Sequence, residues 1–141
     1  MLEGEPFNCH IQLNGYNCEL EIAALFTMNG GSIDIREGKK VTIGDDCMFS
    51  SGINITTTDC HSIYSIETNE RINQARDVKI GNHVWLGRNV TVLKGSEIAD
   101  DVIVGSGSIV TSKLTEPHSI YVGNPAKKVK SGTTWGRSLV Y

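Results

Sequence analysis

The sequence predicts an all-β fold, a parallel β-helix made of hexapeptide repeats. Three observations predict it. In residues 78–114, VKIGNHVWLGRNVTVLKGSEIADDVIVGSGSIVTSKL, every sixth position is aliphatic: Ile80, Leu86, Val92, Ile98, Val104 and Val110. The residue after each is mostly small: Gly81, Gly87, Leu93, Ala99, Gly105 and Thr111. Four places beyond each aliphatic comes a small or medium residue: Val84, Val90, Ser96, Val102, Ser108 and Leu114. An amphipathic helix repeats its apolar face near 3.6 residues and a half-buried strand near two, so neither accounts for a period of six. A β-sandwich would show period-two alternation broken at irregular spacings.

One hexapeptide makes a short strand and a tight turn, one side of a triangular coil. Three hexapeptides close a coil, so residues about 18 apart stack one strand spacing, roughly 4.8 Å, apart. Ile80 is then stacked with Ile98, Leu86 with Val104 and Val92 with Val110. The aliphatic and the residue four places on face inward. Each strand buries its face only by stacking on its neighbours. The position after the aliphatic tolerates little bulk where coils approach closely.

The first part of the chain, from Cys9 to Ile43, carries the period less cleanly. IQLNG, CELEI, GGSIDI and KKVTI read as short strands separated by Asn, Gly and Glu turns. They are expected to form the first coils, the least regular of them capping the core. Clean register begins at Ile43 and continues through Phe49 and Ile55, with Cys47, Ile53 and Asp59 at the inward fourth places. An inward Asp59 carboxylate would need partners. The period stops over residues 61–77, a polar stretch read as an excursion loop of about 17 residues. Loops longer than about 12–15 residues are usually functional or disordered. The repeats end near Leu114, and Thr115, Glu116 and Pro117 break them. A C-terminal segment, residues 115–141, follows, with a turn at Gly123, Asn124 and Pro125. Its tail, SGTTWGRSLVY, either packs back on the prism or frays.

At 141 residues the chain reads as one domain, residues 1–141. The formal net charge of −3 argues against nucleic acid as a partner. The four cysteines, Cys9, Cys18, Cys47 and Cys60, contain no C-x-x-C pair. They read as small buried or turn residues of a reducing compartment, with no disulfide and no metal. The start, MLEGEPFNCH, has no basic-then-apolar signal pattern, and no apolar run approaches about 18 residues. The expected location is cytoplasmic, with no transmembrane segment.

His61 sits at the root of the loop, close in sequence to the carboxylate of Asp59. Imidazole is well suited to removing a proton near neutral pH. A loop histidine with no role is the competing reading of this position. His83 falls in a repeat turn and reads as an exposed structural residue, and His10 and His118 have no supporting context. Trp85 precedes the inward Leu86 and so points outward, as surface decoration or as one wall of a groove. With the loop subtracted, little chain separates His61 from Trp85, so the two are expected to be near neighbours. From Lys113 onward come Lys127, Lys128, Lys130 and Arg137 against Glu116 as the one acid. That run is either a solvated face or a docking site for a phosphorylated ligand.

These stretches resemble the hexapeptide-repeat acyltransferases, which are built on a left-handed parallel β-helix. The matching text is IGDDCMFSSGINITTTDCHSI, then residues 78–114, then YVGNPAKKVK, and it covers roughly residues 41–130. The likeness is greatest to the bacterial O-acetyltransferases of capsular polysaccharide, O-antigen and related sugars. The resemblance implies a homotrimer with acetyl-CoA lying between adjacent prisms. It places His61 at the family's catalytic histidine and Trp85 at the tryptophan of its V-W-[IL]-G motif. It runs the pantetheine arm along Gly87, Arg88, Gly105, Ser106, Thr111 and Ser112. Lys127 and Lys130 match basic positions near the adenosine phosphates. Ser106 and Ser112 depart from the alanine and lysine that many members carry.

The reaction so implied is direct acetyl transfer from acetyl-CoA to a hydroxyl of a sugar or polysaccharide precursor. His61 takes the hydroxyl proton, and backbone N–H groups at a coil turn stabilise the oxyanion. The Trp85 N–H steadies the departing sulfur, and Trp85 and Asp59 line the acceptor side, Asp59 also holding the imidazole tautomer. No cysteine or serine has a nucleophile's setting. A zinc-dependent carbonic anhydrase on this prism would need an H-x-x-x-x-H pair, which the chain lacks. A serine acetyltransferase would usually carry a long helical N-terminal domain. A non-catalytic binding trimer and an N-acetyltransferase acting on an amino sugar remain the alternatives.

Overall fold

The computed structural model describes residues 8–141. Residues 1–7, and with them most of the stretch read as lacking a signal segment, lie outside the described residues. Sixteen strands follow one another without a helix among the described residues. They are β1 (His10–Asn14), β2 (Glu19–Ile22), β3 (Thr27–Met28), β4 (Gly31–Arg36), β5 (Lys40–Ile43), β6 (Met48–Phe49), β7 (Ile53–Thr56) and β8 (Val78–Ile80). Then come β9 (Trp85–Leu86), β10 (Thr91–Val92), β11 (Glu97–Ile98), β12 (Ile103–Val104), β13 (Ile109–Val110), β14 (Lys113–Leu114), β15 (Ser119–Gly123) and β16 (Ala126–Ser131).

Every third strand belongs to the same sheet, which is the signature of a three-sided solenoid. The first side runs β1-β4-β7-β10-β13, the second β2-β5-β8-β11-β14, and the third β3-β6-β9-β12-β15-β16. All pairings are parallel except the closing β15–β16 hairpin. The fold is an all-β parallel β-helix. The expected stacking is seen: Ile80 pairs with Ile98, Leu86 with Val104 and Val92 with Val110.

The inward residues form one core. Ile43, Phe49, Ile55, Leu86, Val92, Val104 and Val110 are buried, and so are the fourth-place Cys47, Ile53, Val84, Val90 and Val102. Each such aliphatic removed from water contributes about 1.5–3 kcal/mol before entropy is charged against it. Small residues after the aliphatics are enforced by contact between coils. A Cβ on Gly81 would lie 2.9 Å from the Ile98 carbonyl oxygen, and one on Gly87 2.8 Å from the Ser106 nitrogen. The corner between the second and third sides has a second regularity. Leu25, Asp46, His83, Asp101 and His118 each adopt φ between 52° and 59° there, so one left-handed residue per coil turns the chain.

Several sequence expectations need correction. The repeats do not end at Leu114: β15 continues the third side, pairing Tyr121 with Val104. The first two coils are longer than 18 residues, since Met28 pairs with Phe49 and Ile33 with Ile55, and this hides their period. The two-residue β3 has too little pattern to read. Asp59 does not face inward. The chain leaves the coil at Thr57 and Thr58, which are buried in its place, while the Asp59 side chain is 40% exposed. His83 is not simply exposed; two carboxylates and a tryptophan ring surround it. Of the two fates open to the tail, it packs back on the prism as far as Arg137.

Candidate active site

The loop begins and ends at one point of the wall. Arg76 N–H donates to the Thr57 carbonyl at 3.0 Å, closing the excursion before β8 resumes the second side. Within it the chain doubles back. Ile72 N–H donates to Ile63 O and Ser65 N–H to Glu70 O, each at 2.9 Å, around a Tyr64–Arg71 bridge. Buried Asn73 ties the root together. Its Nδ2 donates to Asp59 Oδ2 at 2.9 Å and to the His61 carbonyl at 2.8 Å, and its Oδ1 accepts from Ile63 N–H at 2.7 Å. Arg71 clamps Glu37 with two bonds of 2.7 and 2.9 Å. Lys94 is paired with Asp59.

Charge follows from these contacts. The Arg71 hydrogen bonds pull the Glu37 carboxyl down to about 2. Lys94 first, and Asn73 second, hold Asp59 below the usual carboxylate range. Carboxylates with depressed folded-state values add stability above the unfolded value, near ~4.3 for glutamate, and lose it as pH falls through the folded one. The loop root should therefore loosen between about pH 4 and pH 2 while the apolar coils persist. Amide hydrogen exchange at a series of acid pH values checks this. Faster exchange at Ile63, Ser65 and Ile72 before the core strands respond is the expected result.

The His61 imidazole is exposed and has no hydrogen-bond partner among the described residues. Asp59 does not orient it; the contact between the two is the His61 N–H donating to the Asp59 carbonyl at 2.8 Å. Beside this corner lies a cavity of about 570 Å³ on the first side, lined in part by Gln12, Ser32, Asp34, Asn54, Asp59 and Cys60. Most of these groups are hydrogen-bonding side chains.

Trp85 opens β9 on the third side, between Met48 and Ile103, and faces outward as expected. Its Nε1 is buried and has no partner among the described residues. His61 and Trp85 are not neighbours within one chain. His61 follows β7 at the corner of the first and second sides, and Trp85 lies beyond β8 on the third, so a whole prism side separates them.

The other candidates divide in the same way. Gly87 and Arg88 follow β9, and Gly105 and Ser106 follow β12, so all four stack at the corner of the third and first sides. Thr111 and Ser112 lie between β13 and β14, at the corner that carries His61. Lys127 and Lys130 project from β16, the last strand of the sheet that holds Trp85. Lys130 pairs with Ile120, Ile120 with Ile103 and Ile103 with Trp85. That puts the basic strand about three strand spacings, roughly 14 Å, from the tryptophan. Lys128 is paired with Glu116, whereas Lys127 and Lys130 have no ion pair among the described residues. No group of three or more His, Cys, Asp or Glu among the described residues could hold a metal ion. No helix there is long and apolar enough to cross a membrane.

Known proteins are similar to this chain in sequence and in fold. Residues 77–112 match the family described as bacterial transferase hexapeptide (six repeats). The polysialic acid O-acetyltransferase of Neisseria meningitidis is 50% identical over 125 residues, which cover 89% of this chain and 58% of that protein. The crystallographic structure of the polysialic acid O-acetyltransferase OatWY superposes with a TM-score of 0.88 at 47% identity, over 94% of this chain and 62% of that one. The crystal structure of the polySia-specific acetyltransferase NeuO gives 0.76 at 30% identity, over 92% of this chain and 69% of that one. The chain belongs to the hexapeptide-repeat acyltransferases. It spans about three-fifths of the first two relatives. Within that family its fold is the left-handed β-helix of its structural neighbours.

Sequence reasoning missed three parts of this hexapeptide-repeat site. Asn73, Arg71 and Lys94 fix the loop root, yet the first two stand in the aperiodic loop and Lys94 at an outward place of the repeat, where the period says nothing of residue type. Sequence reasoning also missed that His61 and Trp85 lie apart, although counting by six puts them on different sides. Trp135, which stacks on His83 and lies 6.2 Å from the Trp85 ring, was hidden in an aperiodic tail.

Proposed function

We propose that this chain is an acetyl-CoA-dependent O-acetyltransferase acting on a sugar hydroxyl of a polysaccharide or its precursor. Residues 1–141 act as one acyltransferase domain, working as a cytoplasmic homotrimer. One observation carries the reading. The residues that match the family's site fall into two sets on different parts of the prism. His61, Thr111 and Ser112 share one corner, while Trp85, Gly87, Arg88, Gly105, Ser106 and the β16 lysines occupy the third side and its far corner. Two copies of the chain supply the two walls of one groove. Similarity to polysialic acid O-acetyltransferases supports a polysaccharide acceptor.

In this groove the exposed His61 imidazole takes the proton of the acceptor hydroxyl as its oxygen attacks the thioester carbonyl. The Trp85 ring walls the thioester, and the imidazolium returns the proton to the departing sulfur so that coenzyme A leaves as the thiol. The carbonyl oxygen gathers charge in the tetrahedral intermediate and needs preorganised N–H donors at a coil turn. The polar cavity beside His61, with Asp59 on its rim, offers the acceptor hydrogen-bonding partners. Incubation with labelled acetyl-CoA and saccharide acceptors tests the reaction. Transfer yielding an ester is expected; an amide product, or no transfer to any acceptor, defeats this reading.

Two further outcomes are expected. Light scattering should give the mass of a trimer, and a stable monomer that still acetylates would rule out the shared groove. Replacing Lys127 and Lys130 together by alanine should weaken acetyl-CoA binding, more so at low ionic strength, where charge contacts are least screened. Titration calorimetry at two salt concentrations reads this. Unchanged affinity in both would leave the lysines as a solvated surface.

A further inference from the structure

Beyond β16 the chain turns back and descends the corner of the second and third sides, tying successive coils. Thr133 N–H donates to the His118 carbonyl at 2.8 Å and Thr134 Oγ1 to Asp101 Oδ1 at 2.9 Å. Trp135 Nε1 donates to the His83 carbonyl at 2.8 Å. Arg137 ends the strap with bonds to Asp46 Oδ1, Thr27 Oγ1 and the carbonyls of Leu25 and Cys47, at 2.8–3.2 Å. The strap therefore uses the column of left-handed corner residues, whose side chains and carbonyls it meets one coil at a time.

At its centre the strap places an aromatic ring beside the candidate site. The Trp135 ring stacks on His83, with centroids 4.1 Å apart and planes 10° apart. It also lies 6.2 Å from the Trp85 ring at an angle of 51°. The Arg137 guanidinium sits 5.7 Å from the Trp135 ring on a further side. His83 is fixed beneath by a 2.6 Å bond between its Nδ1 and Asp101 Oδ1. Trp135 is only 9% exposed, and the Trp85 Nε1 nearby is buried without a partner. A buried donor left unpaired is costly, and each such group in a folded protein calls for an explanation.

We propose that Trp135 is a positioning residue for Trp85. The strap seats the Trp135 ring between His83 and Trp85 and holds the Trp85 indole in one orientation, with its N–H shut away from solvent and its outer ring face set as a fixed wall of the groove. This rests on the reading of Trp85 as part of the acetyl-transfer groove. A wall that is already fixed needs no ordering when the ligand arrives. Trp135 itself touches neither acceptor nor coenzyme in this scheme, and it acts through Trp85.

The test uses the fact that the chain has two tryptophans. In Trp135→Phe and Trp135→Ala, Trp85 is the sole indole emitter. Acrylamide quenching without any ligand should be low in the phenylalanine variant, which keeps a ring on the stack, and clearly higher in the alanine variant. Turnover should fall roughly tenfold or more in the alanine variant and be largely restored by phenylalanine, with KM for acetyl-CoA little changed. If the alanine variant does not fold, Trp135→Phe combined with Arg137→Ala loosens the strap and keeps the ring, and its quenching should exceed that of Trp135→Phe alone. Equal quenching among the variants that fold, or increased quenching with unchanged turnover, overturns the assignment. The quenching readout needs no reaction, so a wild-type protein inactive on every acceptor counts against the acetyl-transfer reading separately.

Discussion

Replacing His61 by alanine should lower turnover about 10²–10⁴-fold, the usual contribution of a general base. The side chain is exposed at the loop root and belongs to no inward row, so the coils should form unchanged. Its backbone carbonyl, which accepts from Asn73, is kept by the substitution. Acetyl-CoA affinity should stay nearly intact, because the imidazole acts on the acceptor proton and not on the coenzyme's phosphates. Turnover of the unaltered protein should also fall on acidification, as a protonated imidazole cannot accept a proton. Steady-state kinetics with both substrates varied reads all of this. The matched control is His118→Asn, a change at an exposed histidine that keeps the backbone carbonyl to which Thr133 donates. A His61 variant with normal turnover would remove the catalytic assignment.

The second large effect is on stability. Phe49 is fully buried, is stacked with Leu86 in the next coil, and meets the Phe26 ring edge-on at 5.0 Å. Its truncation to alanine should cost about 3–5 kcal/mol through lost burial and the cavity left behind. The cavity sits mid-prism, where coils above and below are held in register by their ladders and cannot easily collapse. Denaturant unfolding at fixed protein concentration measures it. A loss under about 1 kcal/mol would mean that the coils collapse onto the gap, contrary to the tight stacking described.

The coils were legible in the sequence because a solenoid writes its geometry as a period. Ile80, Leu86 and Val92 declare both the side they occupy and the residues they stack on. The rule failed where the chain stopped obeying the coil. Asp59 holds an inward place by counting, yet the backbone departs at Thr57, and Lys94 and Asn73 hold its carboxylate at the surface. The left-handed corners are filled by a leucine, two aspartates and two histidines, Leu25, Asp46, His83, Asp101 and His118, so no single residue type marks the column that the tail grips. The tail's anchors are largely carbonyl oxygens, which every residue has. Counting by six separates His61 from Trp85 within one chain, so the groove proposed for them needs a second copy.

That last point decides how the account is best tested. In a cyclic trimer each groove joins the His61 corner of one protomer to the Trp85 side of the next. His61→Ala and Trp85→Ala protein, each nearly inactive alone, should regain activity when co-expressed as mixed trimers. A groove whose His61 wall comes from the Trp85 variant and whose Trp85 wall comes from the His61 variant is intact. Random assembly makes roughly a quarter of the grooves so. Acetyl transfer at about that fraction of the wild-type rate for the whole co-expressed population, or about one third for mixed trimers freed of both homotrimers, is the predicted result. Mixed trimers as inactive as either parent would contradict the shared site and place His61 and Trp85 in separate roles.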